Sequence, residues 1–262
     1  MRFTKLAQSV ISGAVLAGAL AIGIGTAQAA DLRIGVEGAY PPFSEKTASG
    51  ELIGFDIDIA NALCEKMGVT CELVEQDWDG IIPALQAKKY DAIVASMSIT
   101  EDRKKVVDFT KKYYNTPAKF AAKDGMFSDD SPAAMAGKRI GVQRGTIHDD
   151  FLTSVYKDSE IVRYATQDEV YLDITAGRID AMLADSLAID EGFLKTDAGK
   201  GYSFFGADHS EVEYFGEGAG IAIRKGEDEL REKLNDAIDA IRADGTYDKI
   251  QAKYFDFDIY GG

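Results

Sequence analysis

The chain has 262 residues, with 44 acidic against 29 basic side chains and a formal net charge of −15, which makes nucleic acid and anionic membrane surfaces poor partners. Its two histidines and two cysteines form no Cys/His cluster, so no metal and no cofactor are expected.

At the N-terminus, Arg2 and Lys5 precede a Gly/Ala-rich apolar run to about Gly25 and the small-x-small motif Ala27-Gln28-Ala29. That is the layout of a cleavable secretory signal. Cleavage after Ala29 or Ala30 leaves about 230 residues with 27 basic and 44 acidic side chains, a net charge of −17, enough chain for two modest domains. Export places this mature form in the periplasm. No cysteine near the cleavage site suggests a lipid anchor, and no other segment is apolar enough to span a bilayer.

LRIGVEGAY (32–40) reads as a short buried strand ending in glycine and polar residues. In GFDIDIANALCEKMG, Phe55, Ile59, Ala60, Leu63 and Met67 recur three and four apart, which predicts a helix that Gly68 stops. Cys64 sits near the end of that helix and Cys71 on the next strand; an even count in an exported chain favours a disulfide. So short a loop stabilises by about 2–3 kcal/mol at most. WDGIIPALQAKK begins a second helix with Pro83 in its first turn, and KYDAIVAS (89–96) reads as another buried strand.

The layout then repeats. KRIGVQRGT (138–146) resembles the first strand, and RIDAMLAD (178–185) resembles KYDAIVAS, in the same order. A helical pattern, QDEVYLDITAG, precedes the latter and stops at Gly177. Two related α/β units follow, with mainly parallel sheets and right-handed crossovers. Pro117 in NTPAKF ends the first unit. After HSEVEYFGEGAG (209–220) a strand, GIAIRK, and a helix with Leu230, Leu234, Ile238 and Ile241 on one face remain. If that helix covers the first unit, the chain crosses between units twice, a hinge suited to a closing cleft. The expected fold class is α/β with two lobes, each a mainly parallel sheet flanked by helices, on a two-strand hinge. The expected division is a signal over 1–29, one lobe over 30–116 plus 216–262, and a second over 117–215 with the hinge segments.

Open α/β sheets bind ligands beyond the carboxyl ends of their strands. The four strand ends offer Glu37 and Tyr40, then SMSITEDR (96–103), then Gln143 to His148, and finally Asp185. These groups complement a zwitterion. Arg103 supplies a two-pronged donor for a carboxylate, and Thr146 begins the helix IHDDFLTSVY, whose free N–H groups favour an anion. Asp185, with acceptors on Ser96 and Ser98, suits an ammonium group. Glu37 suits a distal cation, with Trp78 and Tyr40 flanking the stem between. Each residue also has a plainer reading. Arg103 can be a solvated helix residue, Asp185 and Thr146 helix caps, Glu37 a loop acid and Trp78 a core anchor. His148 reads as a surface helix residue rather than a base.

RIGVEGAYPPFS, GFDIDIANALCEKM, DWDGIIPALQAKKYDAIVASMSIT, RIGVQRGT, AGRIDAMLAD and ADGTYDKIQAKYF together resemble the periplasmic binding proteins of polar amino acid ABC transporters. The likeness spans the mature chain and is greatest to the lysine/arginine/ornithine and histidine group, with octopine and nopaline binders near. It implies a hinged two-lobe receptor without catalysis, expected as a monomer, that passes a cationic amino acid (arginine, ornithine, lysine or histidine) or an opine to a membrane permease. By position, Arg103 with the backbones at Ser98 and Thr146 would hold the α-carboxylate. Asp185 and Ser96 would hold the α-amine, Tyr40 and Trp78 the stem, and Glu37 the distal charge. The likeness also implies the Cys64–Cys71 disulfide. Gln143, Arg144, Ile147 and His148 depart from the family's usual pattern, and Glu37 stands where relatives often carry aspartate. Cyclohexadienyl dehydratases resemble the same scaffold; an enzyme of that kind would need Glu37 or His148 as its acid or base.

Overall fold

Two five-stranded sheets form the frame of the protein, seen in a computed structural model that describes Met1 and residues 30–261. The expected signal segment from residue 2 to 29 lies outside the described residues. In chain order, β1 (Leu32–Val36) leads through β2 (Ala39–Tyr40), β3 (Ser44–Lys46) and β4 (Leu52–Ile53) to α1 (Phe55–Met67). Next come β5 (Cys71–Glu75), α2 (Ile81–Gln86), β6 (Ala92–Ile93), α3 (Glu101–Lys104) and β7 (Asp108–Tyr114). The chain then crosses into the second sheet with β8 (Ala118–Lys123), β9 (Arg139–Gln143), α4 (Ile147–Val155), β10 (Glu160–Tyr164) and α5 (Gln167–Thr175). There β11 (Ala181–Asp185), α6 (Ser186–Ile189), β12 (Tyr202–His209) and α7 (Val212–Phe215) follow. It returns to the first through β13 (Ala219–Ile223), α8 (Asp228–Ala243) and α9 (Thr246–Gln251).

The strand orders, β5-β1-β6-β13-β7 and β10-β9-β11-β8-β12, correspond position by position. β5, β1 and β6 are parallel, and β13 runs against both β6 and β7. In the second sheet β10, β9 and β11 are parallel, and β8 runs against both β11 and β12. Each sheet therefore has one reversed strand, and it is the strand by which the chain enters that lobe from the other. A strand delivered directly across the hinge needs no crossover helix, so it arrives in the opposite sense.

The repeated sequences occupy equivalent places, β1 with β9 and β6 with β11, and they repeat an ion pair. Arg33 donates to Asp91 from its backbone N–H (3.1 Å), Nε (3.3 Å) and Nη2 (3.1 Å). Arg139 donates to Asp180 from the same three groups at 2.9, 3.2 and 2.7 Å. The glycines two residues beyond each arginine repeat as well. A Cβ on Gly35 would overlap the Tyr90 ring, and one on Gly141 would overlap Ile179, each neighbour being the residue just before the paired aspartate.

Local signals behave as the sequence predicts. Gly68 takes the left-handed C-cap position of α1 at φ 68°, and Pro83 lies in the first turn of α2, where its missing N–H costs nothing. Leu234, Ile238 and Ile241 of α8 are buried in one cluster with α1, which seats the C-terminal helices on the first lobe. Cys64 and Cys71 are bonded, closing a span of 7 residues. Two elements differ from expectation. Residues 39–53 form a small antiparallel sheet, β2-β3-β4, whose two- and three-residue strands are too short to show a period of two. KYDAIVAS contributes only Ala92 and Ile93 to the ladder, and the chain then leaves the sheet through Ser96 at φ 52°. Among the described residues, no helix is long and apolar enough to cross a membrane, and no His/Cys/Asp/Glu group could hold a metal.

Candidate ligand-binding site

The carboxyl ends of β1, β6, β9 and β11 converge on a cavity of about 580 Å³, its open mouth included. From the first lobe Glu37, Tyr40, Trp78, Ser96, Ser98 and Arg103 line it. Gln143, Thr146, His148 and Asp185 line it from the second. These ten candidates thus meet in one space, whereas Arg144, in the same stretch as Gln143 and His148, does not line it and pairs with Asp79. Tyr114, Asn115 and Thr116 of the crossing segment and Phe215 join the ten; no pattern in the sequence marked these four, because hinge residues carry neither period nor motif.

Arg103 is held by its own short helix. The Thr100 side chain caps α3 by accepting from the Arg103 N–H at 3.3 Å. The Arg103 Nη1 donates to the Ser98 carbonyl at 3.0 Å, and the guanidinium lies 5.2 Å from the Trp78 ring centroid. Burial pulls its pKa down to about 10, with Asp150 opposing, so it remains a cation at neutral pH. No carboxylate pairs with it among the described residues. The solvated-helix reading of Arg103 is therefore set aside.

Two carboxylates show the converse. Glu37, only 6% exposed, accepts from Gln143 Nε2 at 2.5 Å. Burial pushes its pKa up to about 7, against the Gln143 hydrogen bond. Asp185 caps α6, its Oδ1 accepting from Leu187 N–H at 2.9 Å, while its Oδ2 accepts from the Thr116 hydroxyl. Burial pushes it up to about 6, with Thr116 opposing. Neither carboxylate has a cationic partner among the described residues. Asp185 is thus a helix cap that also lines the cavity.

Thr146 likewise caps α4, accepting from Asp149 N–H at 3.2 Å, and faces the cavity. Tyr40 is buried, stacked on Phe43 at 6.0 Å. The surface reading of His148 is wrong: it is buried, 6.0 Å from the Phe215 ring. Burial, then the nearby Arg103, pushes its pKa down to about 3, so the imidazole is neutral. The start of α4 is covered by Phe215 from α7, and a single histidine in an acidic helix start gave no sign of that.

The lobes are closed on each other. Trp78 Nε1 donates to the Gly145 carbonyl at 3.1 Å, Arg144 Nε to Asp79 at 2.5 Å, and Gln143 joins Glu37. Leu187 and Ala188 of α6 pack into the core of the first lobe. A cavity with one half-buried guanidinium, the buried Glu37 and the half-buried Asp185, completed only where the two lobes meet, has the chemistry to enclose a small zwitterion.

The chain belongs to the bacterial extracellular solute-binding proteins, family 3, whose profile matches residues 32–257. It is 56% identical over 232 residues to the L-arginine-binding protein of Pseudomonas aeruginosa, covering 88% of this chain and 90% of that one. It is 41% identical over 255 residues to the lysine/arginine/ornithine-binding periplasmic protein of Escherichia coli, covering 94% and 98%. Among solved structures, a Salmonella typhimurium periplasmic binding protein with high arginine specificity superposes with a TM-score of 0.80 at 32% identity, covering 86% and 98%. All three are binding proteins, and the enzyme reading of the scaffold is set aside.

Proposed function

We propose that this protein is a periplasmic receptor that captures a cationic amino acid, arginine before lysine, ornithine or histidine, and delivers it to the permease of an ABC importer. The observation that carries the reading is the charge pattern of the cavity. Among the described residues its guanidinium has no carboxylate partner and its two carboxylates no cation, the inverse image of a dibasic amino acid, which has one carboxylate and two cations. Arg103 takes the α-carboxylate with the backbones at Ser98 and Thr146. Asp185 and Ser96 take the α-ammonium, Tyr40 and Trp78 flank the stem, and Glu37 with Gln143 meets the distal cation. His148, neutral and buried, closes the wall behind Arg103.

The working units are a first lobe of residues 30–116 with 216–262 and a second of 117–215, the first 29 residues being removed on export. The packing of α7 against α4 and of Gly216 against Ile99 supports a boundary after Phe215. The receptor acts as a monomer, since each copy holds all the cavity's charged groups. Ligand contacts both lobes only in the closed form, so binding shifts the population toward closure.

Calorimetry with arginine, ornithine, lysine, histidine, octopine and glutamine tests the reading. Arginine is expected to bind at least about tenfold more tightly than glutamine, which leaves Glu37 without a cation. Glutamine binding as tight as arginine, or no saturable binding of any cationic ligand, removes it.

A further inference from the structure

We infer that Asp56 is a positioning residue that makes the Ser96 hydroxyl an obligate acceptor toward the cavity, and so selects an ammonium group over a hydroxyl at the ligand's α-carbon. Asp56 does not line the cavity. It lies in the first turn of α1, completely buried, behind the residue that does.

Three bonds join the two. Ser96 Oγ donates to Asp56 Oδ2 at 2.9 Å. The Ser96 N–H donates to the Tyr113 hydroxyl at 3.1 Å, and that hydroxyl donates to Asp56 Oδ1 at 2.8 Å. Ser96 is held in this way at φ 52°, a left-handed conformation uncommon for any residue but glycine. A hydroxyl has a single hydrogen. Burial pushes the Asp56 carboxyl up to about 7, so at pH 8, where the comparison below is made, it is ionised, the serine hydrogen is given to it, and the lone pairs of Ser96 are left to bind an ammonium group.

An aspartate inside the helix GFDIDIANALCEKM looks from sequence like an ordinary first-turn acid, favoured by the helix dipole. Its complete burial beside two hydroxyl donors, with no cation paired to it among the described residues, is what the dipole does not explain. Ser96 and Asp185 then meet the ammonium from opposite lobes, the first through a hydroxyl whose direction is set from behind, the second through its own carboxylate.

The inference rests on the proposal that an α-amino acid occupies the cavity, and the test separates the two. Calorimetry at pH 8 compares L-arginine with argininic acid, in which a hydroxyl replaces the α-ammonium, on the wild type, Asp56→Asn, Ser96→Ala and the double variant. The asparagine is nearly isosteric, but its amide offers one acceptor and one donor. The acceptor takes the Tyr113 hydroxyl, the NH2 group turns to Ser96, and the serine hydrogen swings toward the cavity. Arginine then meets a donor and should bind about tenfold to a hundredfold more weakly, whereas argininic acid, whose hydroxyl can accept, should lose much less. In the Ser96→Ala background the Asp56→Asn effect on arginine should disappear.

Equal weakening of the two ligands by Asp56→Asn, or an undiminished effect in the Ser96→Ala background, overturns the inference. If Asp56→Asn does not fold, Ser96→Ala alone decides: it must weaken arginine more than argininic acid, and equal weakening overturns. If the wild type prefers another α-amino acid, that acid and its α-hydroxy analogue take the same places, so a wrong ligand leaves this test intact. If the wild type binds no amino acid, both readings fall.

Discussion

In the first lobe Arg33 grips Asp91, and in the second Arg139 grips Asp180, through the same three groups. Counting forward from the arginines, Glu37 and Gln143 fall at equivalent positions; counting forward from the aspartates, Ser96 and Asp185 do. The frames are alike because both bury the same contact, a strand glycine beneath the residue that precedes the aspartate. The strand ends have no such packing duty, and there the lobes part. Glu37 is a carboxylate and Gln143 the amide that donates to it; Ser96 is a hydroxyl directed by a carboxylate behind it, and Asp185 is itself the carboxylate. The lesson is that a duplicated frame fixes where the cavity's polar groups stand and leaves open what they are. Neither lobe alone carries the charge pattern of a dibasic amino acid. Closure assembles it.

The largest effect should come from Arg103, the one cation that lines the cavity among the described residues. Arg103→Ala should weaken arginine, lysine and histidine alike by about 2–5 kcal/mol in calorimetry. Losses confined to one ligand would break the division in which the first lobe's strand end reads the α-carboxylate.

The next effect sets Glu37 against Asp185. Both have raised pKa values, about 7 and about 6, and both must be ionised to hold a cation. Affinity for arginine should therefore fall as pH drops from 8 to 5, by about tenfold through Asp185 and more through Glu37. For the free protein the sign reverses: a raised carboxylate stabilises below its unfolded pKa and loses that stability as pH rises through about 6 and 7. The gain in melting temperature given by a fixed excess of arginine should consequently grow from pH 5 to pH 8. A flat or falling gain would show that the two carboxylates do not face the ligand's cations.

The smallest effect tests the frame. A methyl on Gly35 would lie 2.5 Å from a Tyr90 ring atom, and the Tyr90 hydroxyl is anchored on the Ile81 carbonyl, so the ring cannot yield. Gly35→Ala should destabilise by about 1–3 kcal/mol in urea unfolding. On Gly141 the first obstacles are the terminal methyls of Ile179 and Val170, which can rotate, so Gly141→Ala should cost less. The reverse order would mean that the two glycines do not play the same part.

Much of this was legible in the sequence. The paired repeats RIGV and DA marked equivalent strands, and periodicity with caps gave α1, α4, α5 and α8. Reading the residues after each strand collected the charged groups of the cavity. What escaped has physical reasons. The meander over 39–53 is built from strands too short for alternation. Thr116 and Phe215 reach the site only because the chain crosses there, a fact of tertiary path. His148 and Asp56 look like surface acids' neighbours in amphipathic helices, since burial of a polar side chain by a distant segment leaves no mark in its own neighbourhood. The left-handed turn at Ser96 is imposed by Asp56 and Tyr113, which lie far off in sequence.

The reversed strands also set an order of assembly. All five strands of the second sheet lie between residues 118 and 209, whereas the first sheet has β13, from Ala219–Ile223, wedged between β6 and β7. A chain emerging N-terminus first thus presents every strand of the second lobe before the centre of the first can be filled. The lobe that begins the polypeptide is the last to be finished, and its opening strands must wait, with β6 and β7 apart, until the end of the chain arrives.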